Sequence, residues 1–199
     1  MPDDYLTDIY STKEWFESLQ WQQRWIRFMA GWWVGRFGLP EVVLDFGCGD
    51  GSWLKAFHDM GSKTVCGVEL YEIANQFVPD CAQLFIHDLR EPLNLNKRAD
   101  LVICLEVAEH LSQRHADILC QTLVNHMKGT LLFSAAGPGQ TGTGHINLES
   151  QQYWQERIER LGGVRFEANR TGVVRSGFKN IVNECFEFLP RNVMVFNII

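Results

Sequence analysis

A chain of 199 residues is long enough to bury one sizeable core and too short for two full catalytic domains. Its 46% hydrophobic and 21% charged residues match an ordinary globular protein, and no apolar run approaches the roughly 18 residues of a membrane span, so no membrane partner is expected. A net charge of -6 lacks the basic footprint that polyanion binding requires, which disfavours extended DNA or RNA.

The opening MPDDYLTDIY has no basic-then-apolar signal pattern. Six cysteines without a C-x-x-C pair read as small buried hydrophobes in a reducing compartment, so a cytoplasmic setting is expected. The next segment, STKEWFESLQWQQRWIRFMAGWWVGRFG, opens with a capping-box pair, Ser11 and Glu14. It then places Trp15, Leu19, Ile26, Met29 and Trp33 at helical spacing. One long or two short helices are predicted, weakened by Gly31 and Gly35, since each glycine costs about 1 kcal/mol inside a helix. Residues 1–40 are read as an N-terminal helical cap and 41–199 as the main domain of a single globular unit. Trp15, Trp21, Trp25, Trp32 and Trp33 are core packing, a lid or an aromatic platform, with burial of large rings favouring the core. Tyr5 and Tyr10 are candidates to touch a ligand.

From Glu41 onward strand and helix alternate. VVLDF, TVCGVEL, AQLFIHDL, ADLVICLEV, GTLLFSAAG and VMVFNII read as strands, and GSWLKAFHDMG, YEIANQFV, RHADILCQTLVNHM and SQQYWQERIERLG as helices. The stretch NRTGVVRSGFKNIVNECFEFLPRN is placed with the closing strand pair and its connection. Short apolar strands between amphipathic helices mark an α/β protein whose parallel sheet is covered on both faces. Ligands of such sheets bind beyond the carboxyl ends of the strands.

The first strand runs into LDFGCGDG, with Asp45 at its tip and Gly47, Gly49 and Gly51 in the turn. A carboxylate there repels a pyrophosphate but accepts hydrogen bonds from an ammonium group. GVEL places Glu69 at the second strand's end, at the distance where such folds hold ribose hydroxyls. HDL places Asp88 at the third, suited to an adenine amino group. Three acids at adjacent strand tips fit a ligand with an ammonium, a ribose and an adenine and no phosphate.

With VLDFGCGDG, GVEL, HDL and ADLVICLEVAEHL, the chain from about Val42 onward resembles the class I S-adenosylmethionine-dependent methyltransferases. The resemblance implies a Rossmann-like, doubly wound fold: a mostly parallel seven-stranded sheet, helices on both faces and an antiparallel C-terminal strand. It implies S-adenosylmethionine (SAM) as cofactor. Asp45, Gly47, Cys48 and Gly49 would line its methionine part, Glu69 would hold the ribose, and Asp88 with Leu89 would bracket the adenine. Leu70, Leu105 and Glu106 complete the set.

At the next strand end, CLEVAEHL sets Glu106, Glu109 and His110 at i, i+3 and i+4, on one face if a helical turn starts there. GPGQTGTGHINLES, after the following strand, adds His145. It is no phosphate loop, because no lysine lies between Gly129 and Gln151. Its place at a strand end makes it part of the acceptor wall. The four side chains resemble the E-x-x-E-H plus downstream histidine of metal-dependent O-methyltransferases, including the Hen-type small-RNA 2′-O-methyltransferases. That likeness implies Glu106, Glu109, His110 and His145 as ligands of Mg²⁺ or Mn²⁺. The favoured reading is metal-free, with His145, His110 and Glu109 as catalytic residues and His145 as general base. The expected reaction is O-methylation of a small molecule, sugar or glycan precursor. The alternatives are a Hen-like RNA enzyme and a SAM-binding partner subunit without catalysis. Oligomeric state is not legible. His58, His87, His115 and His126 are expected to be structural or exposed, His87 orienting Asp88, and the C-terminal arginines to form a mixed charged surface.

Overall fold

The computed structural model describes residues 8–182 and 187–199, so Tyr5 and Cys185 lie outside the described residues. Two helices open the chain, α1 (Lys13–Leu19) and α2 (Gln23–Phe37), joined by a 3-10 turn. The cap of α1 is Thr12, not Ser11: its extended backbone lets the hydroxyl accept from Trp15 N at 3.2 Å, whereas Ser11 closes a preceding 3-10 turn.

There follow β1 (Val42–Phe46), α3 (Ser52–Asp59), β2 (Thr64–Glu69), β3 (Gln83–Ile86), β4 (Ala99–Leu105), α4 (Ala116–Asn125), β5 (Met127–Ser134), α5 (Gln151–Arg160), β6 (Val164–Phe166), α6 (Ala168–Ile181), α7 (Phe188–Asn192) and β7 (Met194–Ile198). Among the described residues seven strands form one sheet in the order β3-β2-β1-β4-β5-β7-β6. The pairs from β3 to β5 are parallel, and β7 runs antiparallel to both β5 and β6. This is the Rossmann-like sheet that the sequence predicts. Neighbouring residues feed opposite faces: Leu44, Val102 and Phe133 pack with Leu119 and Trp154, while Val43, Ile103 and Leu132 pack with Met29, Phe57 and Phe178. Burial on both faces is why the strands read as unbroken apolar runs.

Two expectations are corrected. YEIANQFV forms only a 3-10 turn, Glu72–Gln76, because Pro79 supplies no N–H and biases Val78 away from the helical region. NRTGVVRSGFKNI is helix α6, with Thr171, Val174 and Phe178 buried at helical spacing; the short β6 lies just ahead of it. The tryptophans divide: Trp33 is in the core, Trp25 and Trp32 pack against it, and Trp21 is exposed. Cys48, Cys66, Cys104 and Cys120 are buried as expected, whereas Cys81 is exposed. Among the described residues no helix is long and apolar enough to cross a membrane.

Candidate active site

The turn after β1 is built for close approach. Gly47 has φ 79°, and a Cβ there would lie 2.4 Å from Val107 Cγ2, so no L-side chain fits without displacing that residue. The amides of Gly47 and Cys48 both donate to Val68 O, at 2.8 and 3.1 Å, which ties the turn to β2. At the tip of β2, Glu69 Oε2 accepts from Gly49 N at 2.9 Å and Oε1 from Leu70 N at 2.7 Å. Burial raises the Glu69 pKa, opposed by hydrogen bonds from the backbone amides. Asp45 is fully enclosed; burial first, then the charges of Glu69 and Asp50, push its carboxyl well above the usual range. Asp50, a residue the sequence reading passed over, accepts from Ser52 N and Oγ and from Gln23 Nε2, joining α2 to the turn.

Two cavities meet at the carboxyl edge of the sheet. One, of about 690 Å³, is lined by Glu69, Leu70, Asp88, Leu89 and Arg90; the other, of about 770 Å³, by Asp45, Cys48, Gly49, Leu105 and Leu189. Trp15, Gly47 and Glu106 line both. Every residue assigned to the cofactor from the sequence lines one lobe or the other. Trp15 and Leu19 of α1 cover this space, which places part of the N-terminal segment over the site while α2 packs in the core. Asp88 is oriented not by His87, which contacts Glu91 O, but by Arg90, whose guanidinium grips both carboxylate oxygens at 2.6–3.0 Å. Burial opposes ionisation of Asp88, but the hydrogen bonds from Arg90 prevail and lower its pKa.

Beyond β4 the chain does not continue as a helical face. Glu106 takes φ 54°, and a single 3-10 turn, Ala108–His110, follows. The Glu106 carboxylate accepts from Asn192 Nδ2 at 3.2 and 3.3 Å. Glu109 is completely buried; Oε1 accepts from Ala136 N at 3.1 Å, Oε2 meets no N–H donor among the described residues, and the carboxyl is within hydrogen-bonding reach of that of Glu106. Burial, then the charge of Glu106, push the Glu109 pKa up to about 8.

His110 Nδ1 lies 3.1 Å from Gly144 O. A carbonyl only accepts, so Nδ1 carries the proton and Nε2 presents a lone pair. Burial lowers the His110 pKa to about 4 and also lowers that of His145, so both imidazoles are neutral at pH 7.

The glycine-rich loop is pinned to this turn. Ile146 N and Asn147 N donate to Glu109 O at 2.9 and 3.0 Å. The His145 ring lies over Gly142, where a Cβ would stand 2.2 Å from Cε1. The rings of His110 and His145 meet edge to face at 4.9 Å, and Tyr10 packs on His110 at 5.1 Å while its hydroxyl donates to Thr143 O. Ligand atoms of Glu109, His110 and His145 all lie within 4.8 Å of one another. Glu106 is outside that group. Asn192, Arg90 and Tyr71 belong to the site region without having been flagged, and only the loop position of Arg90 near Asp88 offered a signal.

Comparison with known proteins agrees with the fold. The methyltransferase-domain family model matches residues 16–174. No curated protein matches in sequence. Among solved structures, DesVI of Streptomyces venezuelae is similar at TM-score 0.66 with 15% identity, covering 94% of this chain and 98% of that one. CalS10, an amino pentose methyltransferase from Micromonospora echinaspora, gives 0.66 at 13% over 92% and 96%. The magnesium protoporphyrin IX methyltransferase of Synechocystis PCC 6803, with bound SAH, gives 0.62 at 18% over 98% and 93%. With most of its length matched by the family model, on this sheet order, the chain belongs to the class I S-adenosylmethionine-dependent methyltransferases.

Proposed function

We propose that the chain moves the methyl group of SAM to a hydroxyl of a small molecule, sugar or glycan precursor. The observation that carries this reading is the paired cavity, with Asp45 and Glu69 in different lobes and the neutral His110 in its lining, the His145 ring packed against that of His110. SAM lies with its adenosine in the lobe of Glu69 and Asp88 and its amino-acid part in the lobe of Asp45. The acceptor oxygen attacks the methyl carbon in line, the carbon–sulfur bond breaks, and His145 takes the hydroxyl proton. Holding the reactants in line supplies roughly 7–11 kcal/mol, and a general base typically adds a factor of about 10²–10⁴. His145 is suited to this because burial keeps it unprotonated.

A metal-assisted version is favoured by one observation: one ligand atom each of Glu109, His110 and His145 lie within 4.8 Å of one another, and the buried His145 Nδ1 has no hydrogen-bond partner among the described residues. That mixed N/O donor set suits a divalent ion such as Mn²⁺ and is poor in the oxygen ligands that Mg²⁺ prefers. The ion would be held by Glu109, His110 and His145, and it would polarise the acceptor hydroxyl. Gly144 O on His110 Nδ1 is the kind of outer contact that orients such a ligand.

Calorimetric titration of SAM, then of Mg²⁺, Mn²⁺ and Co²⁺, into wild type and a Glu109→Ala, His145→Ala variant separates the versions. SAM binding with metal binding lost in the variant selects the metal-assisted route and directs substrate screening to vicinal diols and RNA 3′ ends. SAM binding without a metal signal leaves His145 as base and directs it to sugars and small metabolites. Absence of SAM binding overturns the proposal.

A further inference from the structure

Glu106 stands where the two lobes join. Among the described residues only Trp15, Gly47 and Glu106 line both, and Gly47 has no side chain to offer. If adenosine fills one lobe and the amino-acid chain the other, the sulfur that links them passes this junction, so this inference rests on the proposed mode of SAM binding. Among the described residues Glu106 supplies the one carboxylate common to both lobes. Its backbone is held in the left-handed region and its amide donates to Ser134 O and Oγ, at 3.1 and 3.0 Å. The carboxylate is fixed from the far end of the chain: Asn192, 4% exposed at the end of α7, reaches both oxygens with one amide nitrogen.

We propose that Glu106 is the group that recognises the positive sulfonium of SAM, and that Asn192 is the positioning residue that aims it. A carboxamide is suited to this. It supplies a neutral donor that restrains the carboxylate without cancelling its charge, whereas a lysine or arginine in its place would neutralise it. The consequence is a charge-dependent preference between donor and spent product. SAM is cationic at sulfur, and S-adenosylhomocysteine (SAH) is a neutral thioether otherwise nearly identical. A fixed, half-desolvated carboxylate at the junction attracts only the former. Loss of the positive charge on methyl transfer then releases the product from this contact.

The test needs no acceptor. Affinities for SAM and SAH are measured by calorimetry on chelator-treated wild type, Glu106→Gln, Asn192→Leu and the double variant. Glu106→Gln is expected to lower the ratio of SAM to SAH affinity at least about fivefold, with SAH affinity changed less than about twofold. Asn192→Leu lowers the ratio in the same direction but less. In the double variant the Asn192 substitution has no further effect on the ratio, because it acts through Glu106. A ratio unchanged in Glu106→Gln overturns the inference, as does an Asn192→Leu variant that loses SAM and SAH affinity equally, the mark of a merely structural side chain. Wild type that binds neither compound would instead refute the proposed binding mode.

Discussion

Glu109 and His145 face each other with Oε1 and Nε2 4.0 Å apart, too far for a hydrogen bond and close enough for one bound atom to bridge. At neutral pH they are not an ion pair: burial pushes the carboxyl up to about 8 and the imidazole down. The two groups are thus held next to each other with neither neutralising the other's polarity.

A pH dependence of stability follows from Glu109. Its folded pKa lies above the ordinary 4.5, so the unfolded chain releases the proton first as pH rises. The contribution is fully present below about 4.5, is lost on the way up to about 8, and changes no further beyond it. In chelator-treated protein, Glu109→Gln should therefore gain on wild type between pH 5 and pH 8, by more than about 2 °C in Tm. An unchanged Tm difference across that interval contradicts the assignment.

Glu69→Ala should weaken SAM binding at least about tenfold. Each charge-assisted hydrogen bond from a ribose hydroxyl contributes roughly 1.5–3 kcal/mol, and the substitution also removes the acceptor for Gly49 N and Leu70 N. Calorimetry with equal affinity in the two proteins would remove Glu69 from the site.

Gly142→Ala separates positioning from stability. The added Cβ meets the His145 ring at 2.2–2.6 Å and no backbone atom at that distance, so the ring yields and the fold does not. The expected result is a Tm within about 3 °C of wild type, shifted His145 ring resonances, and methyl transfer reduced at least about tenfold, since misplacing a catalytic group by about 1 Å can cost a factor near 10². Unshifted resonances would falsify the close packing of His145 on Gly142.

Tyr10→Phe keeps the ring packed on His110 and deletes only the donor to Thr143 O. With one hydrogen bond worth about 0.5–1.5 kcal/mol, amide exchange across residues 137–150 should accelerate about 2- to 10-fold. Equal exchange rates would show that the contacts of the loop with Glu109 O and His110 hold it without Tyr10.

The lining of the two cavities was legible because strand tips fix it. Asp45, Glu69 and Asp88 each end an apolar run, and the parallel sheet brings those ends together. Of the four side chains named after β4 and β5, the fold brings Glu109, His110 and His145 together and leaves Glu106 outside their group. The spacing of Glu106, Glu109 and His110 suggested one helical face, yet a left-handed residue at Glu106 and a single 3-10 turn stand where that helix was expected, and no propensity rule marks glutamate for that conformation. Asn192 carries no local signal because its partner is 86 residues away. Helix α6 was hidden because its glycines and asparagines have poor helix propensity, and tertiary burial of Val174 and Phe178 overrides it.

The place of β7 between β5 and β6 has a consequence for biosynthesis. The strand paired with β5 and β6 is the last of the seven to leave the ribosome. Until residues 194–198 emerge, β5 keeps an open edge and β6 has no neighbour in the sheet. From the completion of β5 until β7 emerges, the nascent chain therefore carries an unsatisfied strand edge, a stage at which chaperone protection has most to offer.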